Sequence, residues 1–138
     1  MVPDAIVTAR GTEQGLRGMH RVWIGLGAVA GLTAVAMAAL AAHGLESLEP
    51  ARIQMVRNAV QMQGWHALAL LACGVWAPRG GRLAHCAGTA FAVGLLLFCG
   101  AVYALALSGV HMALMAPVGG TLLMLGWALL GLSALRPP

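Results

Sequence analysis

Long apolar runs alternate with short polar segments along this chain. At a rise of about 1.5 Å per residue, about 20 apolar residues cross a hydrocarbon layer of about 30 Å. We therefore predict an all-α integral membrane bundle of four helices, with spans at about residues 22–42, 58–77, 83–107 and 110–135. Residues 1–18 are polar and lack periodicity, which predicts a disordered cytoplasmic tail ahead of a membrane domain at 19–138.

An amphipathic segment precedes the second span. Pro50 suits the first position of a helix, where its missing N–H would have had no partner. From Ala51 the apolar residues recur on one helical face, and the pattern turns fully apolar only at Trp65. We predict one helix over residues of about 50–77, whose first turns lie at the membrane surface or lean on the bundle and whose remainder crosses the bilayer.

Small residues mark candidate packing positions. Gly27 and Gly31 form a GxxxG pair in the first span, which lets a neighbouring helix approach closely. In the fourth span, Pro117 removes a backbone hydrogen bond, so a kink or a local break is expected there. Gly119 and Gly120 follow it and complete the predicted packing set.

A cleaved signal peptide is the alternative interpretation of the first run. Arg17 and Arg21 would form its basic region, and residues 39–41 resemble a cleavage site. The run is longer than the usual signal core of about 7–15 residues, which favours an uncleaved span.

Charge is scarce and lies at the ends of the apolar runs. The chain is 60% hydrophobic and 9% charged, whereas soluble domains carry about 25% charged residues. Basic residues do not cluster with exposed aromatics, which argues against a nucleic-acid partner. The arginines favour both termini in the cytoplasm, because six would then lie inside and two outside. The inside set is Arg10, Arg17, Arg21, Arg79, Arg82 and Arg136, and the outside set is Arg52 and Arg57.

The three cysteines, Cys73, Cys86 and Cys99, all lie in apolar stretches. Their spacing matches no zinc motif, and an odd number forms no disulfide framework. We interpret them as small apolar residues and predict neither a metal site nor a cofactor.

Five polar residues fall at one depth near the outer face of the predicted bundle. His43 ends the first helix, Gln63 and His66 lie one turn apart in the second, Tyr103 lies late in the third, and His111 opens the fourth. Polar side chains inside a bilayer usually face the bundle interior. Three interpretations stay open: a structural hydrogen-bond network between helices, a small-molecule or proton site, and haem ligation by two histidines.

Catalytic machinery is absent from the sequence pattern. No grouping of nucleophile, base and orienting acid is visible, and the spans contain neither Asp nor Glu. This argues against acid–base catalysis and against a carboxylate proton relay in the membrane. We expect a protein that is not an enzyme.

Four stretches occur in the order found in a known family of small membrane proteins. They are AHGL at 42–45, Gln63 with HALALL at 66–71, GAVYALALSG at 100–109, and PVGG at 117–120 with Gly126-Trp127. The chain thereby resembles domain of unknown function 423, to which the eukaryotic transmembrane protein 256 is related. The resemblance covers residues of about 20 to 135 and implies a four-helix, multi-pass protein of the bacterial inner membrane, without supplying an activity.

The chain departs from the family pattern at five positions. Met62 and Trp65 stand where the family usually has an aromatic pair, and Cys99, Ala101 and Ala116 replace hydroxyl-bearing residues. The missing hydroxyls argue against a site that depends on them.

The helix faces built from small residues, and the small mass outside the membrane, predict a helix-packing or accessory subunit of a larger membrane complex, with respiratory complexes among the candidates. The alternative is a protein that binds or transports a quinone, a lipid or another small molecule at the outer polar cluster. Expected partners are membrane lipids and either other transmembrane subunits or further copies of this chain.

Overall fold

A computed structural model describes residues 4–135, with side chains from residue 18 onward. Within that range all the regular secondary structure is helical. Helix α1 spans Asp4–His43, α2 spans Pro50–Tyr103 and continues as a π-helical segment at Ala104–Ser108, and α3 spans Met115–Ala134. Three stretches are long and apolar enough to cross a membrane: Gly18–His43, Pro50–Ser108 and Met115–Ala134. An all-α membrane protein is therefore confirmed.

The prediction of four separate helices is wrong in number, since the described residues form three. The sequence predicted a turn at residues 78–82 between the second and third spans. Backbone hydrogen bonding stays helical on both sides of this point, and only Gly81, with φ 56° and ψ −143°, leaves the helical conformation. The two predicted spans therefore merge into α2.

Helix α2 nevertheless folds back on itself at Gly81. We call residues 50–80 arm A and residues 82–103 arm B. The rings of His66 and Phe91, one from each arm, have centroids 5.7 Å apart. In a straight helix these residues would lie about 37 Å apart. The two arms therefore pack against each other in antiparallel directions.

Helices α1 and α3 flank this hairpin. Both pack on α2, and no Cα of α1 lies within 8 Å of α3 in the described chain. The core between them is built from buried residues of all three helices, and its largest fully buried side chains are Phe91, Leu70, Leu123 and Val56. The α2 hairpin is the centre of the molecule, with one helix on each side.

The predicted kink at Pro117 is also wrong. Helix α3 begins at Met115, five residues later than the predicted start of this span, so Pro117 lies in the first helical turn. A proline there removes no hydrogen bond, because the first N–H groups of a helix have no partner within it. The prediction that α2 begins at Pro50 is confirmed, with Glu49 as its N-cap residue.

The backbone of residues 4–18 belongs to α1, whereas the sequence predicted a disordered tail for 1–18. The apolar part of α1 begins at Gly18. The division into a tail and a membrane domain, and the cytoplasmic position of the tail, stay predictions.

Candidate functional site

Gln63 lies at the centre of a polar cluster that joins α1 to both arms of α2. Its side chain is 7% exposed. The amide nitrogen Nε2 donates to the Ala30 carbonyl oxygen at 3.0 Å and to Thr33 Oγ1 at 2.6 Å. The Tyr103 hydroxyl donates to Gln63 Oε1 at 2.7 Å. One amide thus connects α1 with arm A and arm B.

The orientation of the Gln63 amide follows from its partners. The Ala30 carbonyl accepts hydrogen bonds and donates none, so the group facing it has to be the nitrogen. The oxygen then faces the Tyr103 hydroxyl, which acts as its donor. We call Thr33, Gln63 and Tyr103 the amide cluster.

His66 lies one turn from Gln63 but faces α3. Its Nδ1 lies 2.7 Å from the Met62 carbonyl oxygen, and its Nε2 accepts a 3.2 Å hydrogen bond from the Trp127 indole N–H. The carbonyl requires a proton on Nδ1, which leaves Nε2 as the acceptor. Both ring nitrogens are engaged and the side chain is 3% exposed, so neither nitrogen is free to ligate a haem iron.

The other two predicted histidines lie apart from these contacts. His43 is the last residue of α1, and His111 lies in the segment between Ser108 and Met115. Both side chains are exposed, and neither takes part in the hydrogen bonds or ring contacts described for the cluster. The structure therefore brings together Gln63 and Tyr103, places His66 against a different helix, and leaves His43 and His111 at the ends.

Two of the predicted packing glycines, Gly27 and Gly119, lie at close helix contacts within the chain, and Gly31 and Gly120 lie at ordinary van der Waals distances. A Cβ on Gly27 would lie 2.9 Å from the Ala67 carbonyl oxygen of arm A, and one on Gly31 would lie 3.9 Å from the Ala67 Cβ. On the other side of the hairpin, a Cβ on Gly119 would lie 2.5 Å from the Phe98 nitrogen, and Gly120 faces the Phe98 ring. Pro117, near the start of α3, is exposed.

A cavity of about 480 Å³ lies beside the amide cluster, between α1 and arm B. Gln63 and Leu70 of arm A lie at its inner side, and Tyr103 and Thr33 lie toward one end. Several of its lining residues are exposed on the protein surface, among them Val29, Thr33 and Leu96. We call this cavity the lateral groove, because it opens sideways to the surroundings of the helices.

Two partners in these contacts were missed by sequence reasoning. Thr33 is the only hydroxyl-bearing residue in residues 22–42, and that isolation is a signal that could have identified it. Trp127 lies about 10 Å inside the nearer end of α3, at Ala134, deeper than the interfacial positions where tryptophan is enriched. That depth indicates a specific contact in place of an interfacial anchor.

A further buried contact lies at the opposite end of the bundle. The Trp23 indole N–H donates to His85 Nδ1 at 2.9 Å, which links α1 to arm B. No group of three or more potential metal ligands occurs among the residues for which side chains are described. All buried polar side-chain atoms in that part of the chain have hydrogen-bond partners. These contacts hold helices together without exposing a reactive group.

Comparison with known proteins identifies relatives that are membrane proteins. The family model described as "Protein of unknown function (DUF423)" matches residues 37–120. A UPF0382 membrane protein of Haemophilus influenzae is 34% identical over 79% of this chain and 90% of its own length. A UPF0382 membrane protein of Staphylococcus epidermidis is 33% identical over 84% of this chain and 97% of its own length.

The UPF0382 inner membrane protein YgdD of Escherichia coli is 32% identical over 79% of this chain and 86% of its own length. No solved structure gives a significant match. With three helices apolar enough to span a bilayer, the chain is a multi-pass protein of the inner membrane.

Proposed function

The chain belongs to the DUF423 family of membrane proteins of unknown function, and we propose from its own geometry that it binds an apolar small molecule in the lateral groove. The observation that most directly supports this proposal is the groove itself. Its volume of about 480 Å³ falls within the range of about 300–1,000 Å³ usual for ligand sites. Its lining is mostly apolar, with Gln63 and Tyr103 supplying polar groups at one place, as binding sites commonly do.

The proposed ligand enters from the bilayer. Leu96 is 76% exposed and Val29 is 59% exposed, and both line the groove. An acyl or isoprenoid chain in the surrounding lipid has direct access between these two residues. The ligand class is therefore a lipid or another amphiphile whose polar end reaches the amide cluster.

A groove-filling substitution tests the proposal. A Cβ on Gly100, which lines the groove, meets no atom within 4 Å, so Gly100→Leu fills the site without a clash at that atom. Gly131→Leu on α3 is the matched control, because its Cβ also meets nothing within 4 Å and it lies outside the groove. Native mass spectrometry of protein incubated with 1,2-dioctanoylglycerol or ubiquinol-2 measures occupancy.

We expect wild type and Gly131→Leu to retain a bound molecule and Gly100→Leu to lose it. Equal occupancy in Gly100→Leu and the control, or no occupancy in any of the three, would contradict the proposal.

Four crossings of the bilayer are part of the proposal. Arm B, at residues 82–103, is about 33 Å long and matches the hydrocarbon thickness, and arm A is longer. The arms run in opposite directions, so each would cross once. The asymmetry of the arginines supports cytoplasmic termini. Reporter fusions at both termini and at the loop of residues 44–49 test this, and an active cytoplasmic reporter at that loop would reverse the orientation.

The protein is further proposed to act without catalysis. Its polar side chains in the amide cluster and at His66 are engaged with one another or with backbone carbonyls. The lone pairs left in the amide cluster lie on hydroxyl and amide oxygens, and no carboxylate or imidazole lines the groove to act as a general base.

Association with another transmembrane subunit, or with a second copy of the chain, is the second candidate function. Trp65 is 56% exposed and Trp127 is 50% exposed, and together they line a shallow cleft between arm A and α3. Trp127 lies about 10 Å inside the cytoplasmic end of α3, away from the interfacial belt that tryptophan prefers. The His66 bond engages only the indole N–H of Trp127, and the exposed parts of the two tryptophans support a protein contact as the covering for that face.

Mild solubilisation followed by native electrophoresis tests the second candidate. Wild-type protein should migrate in a larger complex, a respiratory one among the candidates, and Trp65→Leu should release it. Migration of wild type as a lone chain would exclude this function and leave the groove proposal unaffected.

A further inference from the structure

The polar side chains that line the lateral groove still have hydrogen-bond acceptors free for a ligand, whereas their donors are engaged within the protein. Four of its lining residues carry hydrogen-bonding side chains: Thr33, Gln63, Cys99 and Tyr103. The remaining lining residues are apolar, and no charged residue lines the groove. What the groove can recognise is therefore decided by the donors and acceptors of these four side chains.

The donors of Gln63 and Tyr103 are engaged within the protein. Gln63 has two amide N–H groups, and its two Nε2 contacts are with the Ala30 carbonyl and Thr33 Oγ1. The single O–H of Tyr103 points to Gln63 Oε1. Neither residue has a donor left for a ligand.

The donors of the other two residues are engaged as well. The Thr33 hydroxyl donates to carbonyl oxygens of its own helix, with the Val29 oxygen at 2.8 Å. The Cys99 thiol lies 3.5 Å from the Ala59 carbonyl oxygen, to which it donates across the hairpin. Lone pairs remain on Thr33 Oγ1, Gln63 Oε1 and the Tyr103 oxygen.

From this donor and acceptor pattern we infer that the lateral groove selects a neutral amphiphile that presents a free hydroxyl group, in preference to one whose polar end carries carbonyl oxygens alone. The inference rests on the proposed function of the groove. A hydroxyl hydrogen satisfies the free lone pairs, whereas a quinone or ester carbonyl places its own lone pairs against them. An ammonium group would also donate, but it would lose its hydration in a groove that offers no negative charge in compensation.

Two sources supply this chemistry in a membrane: the free hydroxyl of a diacylglycerol and the phenolic hydroxyls of a quinol. Each is tested beside a partner that lacks the donor. The pairs are 1,2-dioctanoylglycerol with its 3-O-acetyl derivative, and ubiquinol-2 with ubiquinone-2 under anaerobic conditions. Competition for the full-length protein in detergent, read by native mass spectrometry, gives relative affinities. We expect the hydroxyl member of at least one pair to bind about tenfold tighter or more.

Thr33→Val is the decisive variant, since valine keeps the shape of threonine and removes its hydroxyl. The Gln63 N–H that donates to Thr33 then becomes free, so the groove acquires a donor of its own. The preference for the hydroxyl member should fall by about tenfold, because a carbonyl ligand can now accept that N–H. Thr121→Val is the matched control: its hydroxyl also bonds a carbonyl of its own helix, and it lies outside the groove.

The outcomes separate this inference from the proposal beneath it. Equal affinity within both pairs, with Gly100→Leu still abolishing binding, would overturn the hydroxyl preference and leave the groove as a ligand site. A preference that persists unchanged in Thr33→Val would overturn the assignment to the amide cluster. Failure of all four molecules to bind would overturn the inference and the proposed function together.

Discussion

The Trp127 indole N–H donates a 3.2 Å hydrogen bond to Nε2 of His66. This bond joins α3 to arm A, and the two rings meet edge to face with centroids 6.1 Å apart. The second nitrogen of His66 is engaged by the Met62 carbonyl. The imidazole is therefore an interhelical connector with a fixed tautomer, and its removal should be measured first as a loss of stability.

A double-mutant cycle measures this connection. His66→Leu and Trp127→Phe should each lower the free energy of unfolding in detergent, and the two effects should overlap by about 0.6–1.7 kcal/mol, as interhelical hydrogen bonds in membranes do. The cycle of His66→Leu with Trp65→Phe is the control, because Trp65 is exposed and makes no hydrogen bond to His66. Additive effects in both cycles would contradict the assigned bond.

Loss of the Gln63 amide should destabilise the protein more than loss of the Tyr103 hydroxyl. Gln63→Leu removes three hydrogen bonds, whereas Tyr103→Phe removes one at a cost of about 0.5–1.5 kcal/mol. Thermal unfolding in detergent gives the order. Gln61→Leu, an exposed change two residues away on the same helix, should have little effect on thermal stability. If it lowers stability as much as Gln63→Leu does, the three hydrogen bonds of Gln63 are not the cause of the effect.

Gly119→Ala should weaken the packing of α3 on arm B. Its added Cβ would lie 2.5 Å from a backbone nitrogen, and a backbone atom cannot move aside as a side chain can. Overpacking of this kind typically costs about 1–3 kcal/mol. Gly131→Ala, where the Cβ meets nothing within 4 Å, should instead stabilise α3 by up to about 1 kcal/mol. Equal effects in the two variants would argue against the close contact.

Gly81→Ala tests the reversal of α2. A residue at φ 56° and ψ −143° lies in a backbone region open essentially to glycine alone, and another residue costs about 1–3 kcal/mol there. We expect lower stability and weaker disulfide trapping between a cysteine introduced at Ala59 and the native Cys99, which face each other across the hairpin. Gly64→Ala, in open space on arm A, is the control, and unchanged trapping in Gly81→Ala would show that glycine is dispensable at the turn.

Position along each helix could be predicted from the sequence, but direction around each helix could not. The apolar runs and the start of α2 at Pro50 follow from local pattern, as does the meeting of Gln63 with Tyr103 at one level. Three residues turn a helix through about 300°, so Gln63 and His66 lie about 60° apart around arm A and face different neighbours. Only the packed structure shows that one faces α1 and the other faces α3.

The merger of the second and third predicted spans has a similar cause. Residues 78–82 contain one proline and two glycines, a composition typical of a loop. The chain needs a non-helical conformation only at Gly81, and the residues beside it keep helical bonding. Composition indicates that a reversal occurs, while the number of residues it takes depends on how closely the two arms pack.

The separation of α1 from α3 by the hairpin limits how their two faces can influence each other. The lateral groove is lined by α1 and the arms, and the cleft of Trp65 and Trp127 is lined by arm A and α3. A molecule on one face can change the affinity of the other through α2, by displacing one of its arms or by making it more rigid. Arm A carries Gln63 toward one face and His66 toward the other, so a rotation of arm A would couple binding in the groove to binding in the cleft. If arm A is rigid, the two surfaces bind their partners independently.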